Sequence, residues 1–192
     1  MTNFGALCKL RPRGTGSVPE QSGHSAACIA RPVLLNDGHE VEAFACGTPS
    51  LDEWLKRRAR LNAVSGASRT YAACAGAKVA GYYALAAGAV VVAAAPGRFR
   101  RNMPDPIPVV VLGRLAVDQA HKAQGLGRAL FRDAGQRVLQ AADIIGVRGI
   151  LVDAVSEDAK AFYLALGMTV SPLDPMTLMV TLAGLRASTN TP

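Results

Sequence analysis

The 192-residue chain is short of acid, of histidine and of paired cysteine, and it has no long apolar run. Its 14 acidic residues are outnumbered by 21 basic ones, and the formal charge of +7 favours a polyanionic partner. The same imbalance argues against the acidic sites that cationic small molecules require. Cys8, Cys28, Cys46 and Cys74 contain no C-x-x-C pair, and the three histidines stand at no metal spacing. No metal is expected, and the thiols read as reduced, in a cytoplasmic protein. A catalytic cysteine would have no recognisable histidine partner. Lys9, Arg11 and Arg13 are not followed by the apolar core of a secretory signal. The most apolar run, Ala80 to Ala95, falls short of the ~20 residues that a spanning helix needs, so no membrane partner is expected.

What is present is a core. Half the residues are hydrophobic and 18% are charged, which suits one domain of sizeable interior. Residues 1–29 are rich in Gly, Ser, Pro and Arg without a period, and read as a loosely ordered basic extension. An arm that touches nucleic acid and a flexible tail both fit it. The domain is expected over 30–184, with a tail over 185–192.

Within it, Ala30 to Leu35 reads as a strand, followed by a helical turn at Glu40 to Ala43. Ser50-Leu51-Asp52-Glu53 is a capping box that predicts a helix to about Asn62, with Leu51, Trp54, Leu55 and Leu61 buried. Its other face carries Lys56, Arg57, Arg58 and Arg60, which suits either a solvated face or an RNA-facing patch. Arg69 to Ala75 and Lys78 to Leu85 form a hairpin about Gly76-Ala77. Val90 to Ala94 reads as a further strand piece, and Pro96 to Pro104 as a basic loop carrying Arg98, Arg100 and Arg101.

Ile107 to Val117 is apolar on both faces, as a central strand covered on two sides must be. The loop Lys122-Ala123-Gln124-Gly125-Leu126-Gly127 follows, then helical spacing from Leu126 to Ala141 with Arg128 and Ala129 in its first turn. Glycines between a strand and a helix let backbone N–H groups converge on an anion at the positive end of the helix dipole. A phosphate site is expected. The third glycine of a dinucleotide fingerprint and the Gly-Lys-Ser/Thr of a P-loop are both missing. Gly149 to Ala154 is the next strand, so the strand–helix–strand unit predicts a parallel pair with a right-handed crossover. A helix over Asp158 to Leu166, ending at Gly167, and strands at Met168 to Val170 and Thr177 to Leu182 complete a mixed α/β sheet.

The loop resembles the pyrophosphate loop of GCN5-related N-acetyltransferases (GNAT), whose Arg/Gln-x-x-Gly-x-Gly/Ala pattern falls on Lys122, Gly125 and Gly127. Lys122 departs from the first position but keeps the charge. Further blocks resemble the TacT-type toxins of type II toxin–antitoxin systems. These are Phe44-Ala45-Cys46-Gly47 with Leu51-Asp52-Glu53-Trp54-Leu55, Gly81-Tyr82-Tyr83-Ala84-Leu85, and Met103-Pro104 with Pro106-Ile107-Pro108-Val109. Leu112-Gly113-Arg114-Leu115-Ala116-Val117-Asp118 is another. The likeness covers roughly Val33 to Leu182, and the long N-terminal arm and Arg69 depart from it.

The resemblance implies a GNAT-like mixed central sheet whose parallel strands, here Arg114–Val117 and Val152–Ala154, splay at an acetyl-CoA site. Leu115, Ala116 and Val117 would line the arm of the cosubstrate, with Val117 as an oxyanion donor. Lys122, Gln124, Gly125, Leu126, Gly127, Arg128 and Ala129 would surround its phosphates, and Phe162 would pack beside it. Tyr163 matches the family's general acid, since a phenol of pKa about 10 keeps its proton at neutral pH. An α-amine titrates near ~7.7–8.0, so a useful fraction is neutral without a dedicated base, which suits aminoacyl-tRNA better than a lysine. The implied function is acetylation of aminoacyl-tRNA and a block of translation, with a ribbon-helix-helix antitoxin and a homodimeric toxin. Arg57, Arg58, Arg98, Arg100 and Arg101 are the candidate tRNA contacts. Two alternatives stand beside it: an N-acetyltransferase for small-molecule or protein amines, and a non-catalytic CoA- or RNA-binding module.

Overall fold

The computed structural model describes residues 28–189, so the expected basic extension lies almost wholly outside the described residues. The chain enters through a two-residue edge strand, β1 (Val33–Leu34), and two short helices, α1 (Pro49–Arg57) and α2 (Ala59–Ser65). A hairpin of β2 (Arg69–Ala75) and β3 (Lys78–Val90) leads through a short helix, α3 (Gly97–Arg100), to the central strand β4 (Ile107–Val117). Then come α4 (Leu126–Ala142), β5 (Gly149–Asp153), α5 (Glu157–Ala165), β6 (Thr169–Val170), β7 (Thr177–Thr181) and α6 (Leu182–Thr189). The seven strands form one sheet in the order β1-β2-β3-β4-β5-β7-β6. Only the β4–β5 contact is parallel, and α4 is its crossover. The expected mixed sheet is found.

Two cores sandwich that sheet because β4 is apolar on both sides. On one face Leu112, Leu130, Phe131, Ala134, Val138, Ile150, Val152 and Tyr163 pack α4 and α5 against the strands. The opposite face is covered by α1, through Leu51, Leu55, Phe44, Tyr82 and Ala116, and by α3, through Phe99, Ile107, Val109, Leu151 and Met179. The side-chain alternation of β4 changes phase once. Ala84 faces Arg114 while Leu85 faces Leu112, which leaves Gly113 as the extra residue of a bulge. Arg114 and Ala116 are thereby turned to the α1 face, and Leu115 and Val117 to the α4 face.

Several local expectations give way to context. The Ser50–Glu53 capping box does not form. Pro49, with its preset φ and no N–H to satisfy, starts α1 two residues earlier, with Thr48 as N-cap in place of Ser50, and no side chain caps that end. Glu53 instead pairs with Arg57 at 3.3 Å. The single helix expected to Asn62 breaks at Arg58, and the restart leaves Leu61 exposed. Arg60 is no solvated cation: it donates to the His39 carbonyl at 2.9 Å and lies 3.3 Å from the Asp37 carboxylate. Val90 ends a β3 longer than predicted, and Val92–Ala94 is a 3-10 turn. The basic loop contains α3, because Phe99 is drawn into the core. The expected tail begins inside α6, whose Leu185 is fully buried.

Gly149 is required by a close approach rather than by its dihedrals. A Cβ there would stand 2.0 Å from the Val180 carbonyl oxygen of β7. Gly149→Ala should therefore part β5 from β7 and lower stability by at least the ~1–3 kcal/mol of an overpacked core. Gly113→Ala meets nothing within 4 Å and should stay close to wild type. Urea unfolding of the two variants checks the contrast.

Candidate active site

The site is built where β4 and β5 part. Their ladder consists of Val110 opposite Ile150 and Val111 opposite Leu151, and stops there. Beyond it β4 stays paired to β3 as far as Val117, and β5 stays paired to β7 as far as Asp153. The β5-facing edge of β4 from Leu112 onward thus has no strand partner, so its backbone groups are open to a ligand. The gap is a cleft. Leu112, Gly113, Arg114 and Leu115 form one wall, and Val152, Asp153 and Val155 the other. Ala159 and Tyr163 of α5 and Leu51 of α1 line it as well.

Tyr163 is the one phenol in this cleft. The Ser156 hydroxyl caps α5 by accepting from Ala159 N at 3.1 Å, which fixes the helix that carries it. Its ring packs on Phe131 (centroids 6.2 Å) and edge-on to Phe162 (5.2 Å), and the residue is 6% exposed. Burial raises its pKa well above the ordinary phenol value, so the proton stays on at neutral pH. Among the described residues its hydroxyl has no hydrogen-bond partner. The other large buried phenols are committed elsewhere. Tyr82 donates to the Leu51 carbonyl at 2.7 Å, and Tyr83 donates to the Asp133 carboxylate, which also accepts from Arg137 at 2.8 Å.

At one end of β4 the glycine loop makes a second feature. Ala123 (φ 60°) and Gly125 (φ 80°) both adopt left-handed backbone, and a Cβ built on Gly125 would meet nothing within 4 Å. A non-glycine residue at positive φ is a strained choice, and it stands two residues before Gly125, the N-cap of α4. The N-terminus of α4 has no side-chain cap, so the first N–H groups of this 17-residue helix face outward unsatisfied. Lys122 and Arg128 stand exposed around them. Gln124 turns back to donate to the Ala120 carbonyl at 3.2 Å. Gly127 lies under Phe162, where a Cβ would be 3.5 Å from the ring. An uncapped helix start beside two cations has the features that suit an anion.

The loop is tied to α1 by two carboxylates. Asp118 accepts from Ala45 N and from Ala120 N, both at 2.9 Å. Asp52 accepts from Cys46 N at 2.8 Å. Burial raises the thiol pKa values of Cys46 and Cys74, which keeps both protonated and unreactive. No cluster of metal-ligating residues exists among the described residues.

Leu115, Ala116, Val117, Phe162, Tyr163 and the loop residues Lys122 to Ala129 are thus gathered around one split in the sheet. The five arginines are not gathered with them. Arg57 and Arg58 lie exposed at the end of α1, and Arg98, Arg100 and Arg101 lie exposed in and after α3. Both helices nonetheless cover the same sheet face. The expected splay at Arg114–Val117 and Val152–Ala154 puts Arg114, Leu115, Val152 and Asp153 on the cleft walls, whereas Leu51, Leu112, Gly113, Val155 and Ala159 were missed. One signal was there: Gly113 within a β-branched run marks a bulge.

No protein-family model matches the chain. A curated relative from Mycobacterium tuberculosis, the tRNA-acetylating toxin, is 49% identical over 166 residues, covering 86% of this chain and 97% of the relative. The solved structure of AtaT complexed with acetyl-methionyl-tRNAfMet matches with a TM-score of 0.76 at 27% identity, over 81% of this chain and 96% of that one. A tyrosine-to-phenylalanine mutant of AtaT, bound to the C-terminus of the antitoxin AtaR and to acetyl-CoA, matches at 0.70 and 26% identity, over 81% and 95% of the two chains. With a sheet split beside a buried phenol and a glycine loop, and with near-half identity over most of its length, this chain belongs to the tRNA-acetylating toxins of the GNAT family.

Proposed function

We propose that the protein is an acetyl-CoA-dependent N-acetyltransferase toxin that acetylates the α-amine of aminoacyl-tRNA and so inhibits translation. The observation that carries this reading is the placement of Tyr163 in the gap between β4 and β5. The residues present fit acetyl-CoA. The cradle at Ala123 to Arg128 suits its pyrophosphate, and the unpaired edge of β4 at Leu115, Ala116 and Val117 suits the amides of its arm. Bound there, acetyl-CoA supplies an acetyl thioester.

The chain's own groups do the rest. A free N–H near Val117 polarises the acyl carbonyl. The Tyr163 hydroxyl holds a proton for the departing sulfur, and the attacking amine, which must lose one, restores it. The raised pKa matters here, because a phenol that stayed ionised would repel the developing thiolate. No base is required for an α-amine that is partly neutral near pH 7.7–8.0, roughly its own titration range.

Both alternatives lose ground to particular residues. A net charge of +7 disfavours cationic small-molecule amines. A purely binding module has no use for a phenol buried in the cleft with its hydroxyl unspent. We extend the reading to partners as well: a ribbon-helix-helix antitoxin, in keeping with the AtaT–AtaR relative, a homodimeric toxin, and action in the cytoplasm. No helix of the described residues is long and apolar enough to cross a membrane.

Three outcomes are expected. Tyr163→Phe keeps the ring against Phe131 and should lower kcat by about 10²–10⁴-fold with acetyl-CoA and tRNA binding preserved, as steady-state kinetics with charged tRNA will show. Gly127→Val puts its side chain between Phe162 and the cradle, and should weaken acetyl-CoA binding in calorimetry while the melting temperature moves little. Replacing Arg57, Arg58, Arg98, Arg100 and Arg101 together should weaken tRNA binding and flatten its salt dependence, by roughly 0.7–0.9 in log–log slope for each phosphate left without a cation. An unchanged slope would return these arginines to the solvated surface.

A further inference from the structure

Arg114 lies at the mouth of the cleft and has no part in the chemistry above. The Gly113 bulge turns it away from α4, onto the face that α1 covers. There its guanidinium stands 5.6 Å over the Trp54 ring. Trp54 is itself stacked on Tyr82, with centroids 5.9 Å apart and planes within 8°. Tyr82 is fully buried, meets Phe44 edge-on at 5.4 Å, and is anchored by its bond to the Leu51 carbonyl. The cation is thus the outer end of a fixed aromatic column. An arginine held in this way loses less rotamer freedom when it binds an anion.

Its charge is also unspent. Among the described residues no carboxylate forms an ion pair with Arg114, whereas Arg57, Arg60 and Arg137 each have one. Its one hydrogen bond donates to the carbonyl of the neighbouring Gly113, which leaves most of the fork free. Across the cleft, Asp153 sits on the same sheet face, and its carboxylate is held by the Thr177 hydroxyl at 2.6 Å. The mouth therefore presents a fixed positive charge on one wall and a fixed negative charge on the other. An acceptor with a phosphate at one end and an amine at the other fits it in a single orientation.

We propose that Arg114, propped on Trp54, is the positioning residue that grips the phosphodiester of the terminal nucleotide of the charged acceptor, so that the aminoacyl end reaches Tyr163. The inference rests on the aminoacyl-tRNA reading above. The guanidinium fork matches a phosphate bidentately. The pyrophosphate of acetyl-CoA has the same chemistry, but its cradle is at the N-terminus of α4, on the opposite face of the sheet. The acceptor is therefore the phosphate source that the geometry favours.

The test compares charged tRNA with a methyl ester of the same amino acid, which has the α-amine and no nucleotide. In Arg114→Ala and in Arg114→Gln, KM for charged tRNA should rise about 10–100-fold with little change in kcat, the range of a broken charge-assisted bond. Affinity for uncharged tRNA, read by fluorescence anisotropy, should fall with it. The loss of kcat/KM on the methyl ester should be at least about tenfold smaller, and the acetyl-CoA dissociation constant from calorimetry should stay within about twofold. Trp54→Leu should reproduce part of the defect and Trp54→Phe should restore most of it. A wild-type KM for charged tRNA in folded Arg114 variants overturns the proposal. So does an equal loss on ester and tRNA, which would put Arg114 in the chemistry, and so does weakened acetyl-CoA binding, which would give it to the other phosphate. A wild-type enzyme that acetylates the ester but never charged tRNA overturns the functional reading itself, and this inference with it.

Discussion

The structure depends on a ladder that stops. A parallel strand pair normally continues until one strand ends, because each unpaired buried backbone group costs free energy comparable to a lost hydrogen bond. Here β4 and β5 pair at two positions and then diverge, although both run on. The divergence is tolerable because each strand keeps its other neighbour, β3 on one side and β7 on the other. The Gly113 bulge adds local twist to β4 at the point of parting. One irregularity thereby opens a cleft, leaves its edge with unspent backbone groups, and changes which side chains face each core.

Everything functional is referred to that gap. The α4 core presses Tyr163 into it from one side, and the α1 core brings Leu51 to it from the other. Asp118 and Asp52 keep these two sides in register by holding the backbone of Ala45, Cys46 and Ala120. The conformations of the glycine loop and of α1 are thus coupled through two short carboxylate bridges. The network of Tyr83, Asp133 and Arg137 does similar work farther from the site, with Arg137 also donating to the Pro32 carbonyl at 2.8 Å. It fastens the entering chain to α4 and takes Tyr83 out of the chemistry.

Electrostatics follows the same division. The α4 side offers oriented N–H groups and a helix terminus, which suit a small, fixed pyrophosphate. The α1 and α3 side offers long cationic side chains over a broad face, which suit a polyanion that must arrive, dock and leave. Arginines spread over an exposed face act mainly through counterion release and steering, and contribute little positional accuracy. The two sides can therefore be perturbed separately.

What the sequence determined by itself was whatever depends on neighbours in the chain. The two-sided apolarity of Ile107 to Val117 made it a central strand. The glycines at 125 and 127 between a strand and a helix made the turn into the uncapped start of α4, and Phe162-Tyr163 after the next strand supplied the phenol. The tertiary structure decided whatever depends on residues far apart. Pro49 overrode the capping box and Arg58 broke the helix. Leu185 drew the expected tail into a helix against the core, and Phe99 pulled a turn of helix out of a proline-rich loop. The resemblance named Arg114, Val152 and Asp153 on the two splayed strands, but that Leu51, Gly113, Val155 and Ala159 complete the cleft with them could not be read in advance, because these residues share no local pattern. They meet only because a one-residue bulge reverses a strand's alternation and two strands part, and both facts belong to the pairing of strands and not to either strand alone.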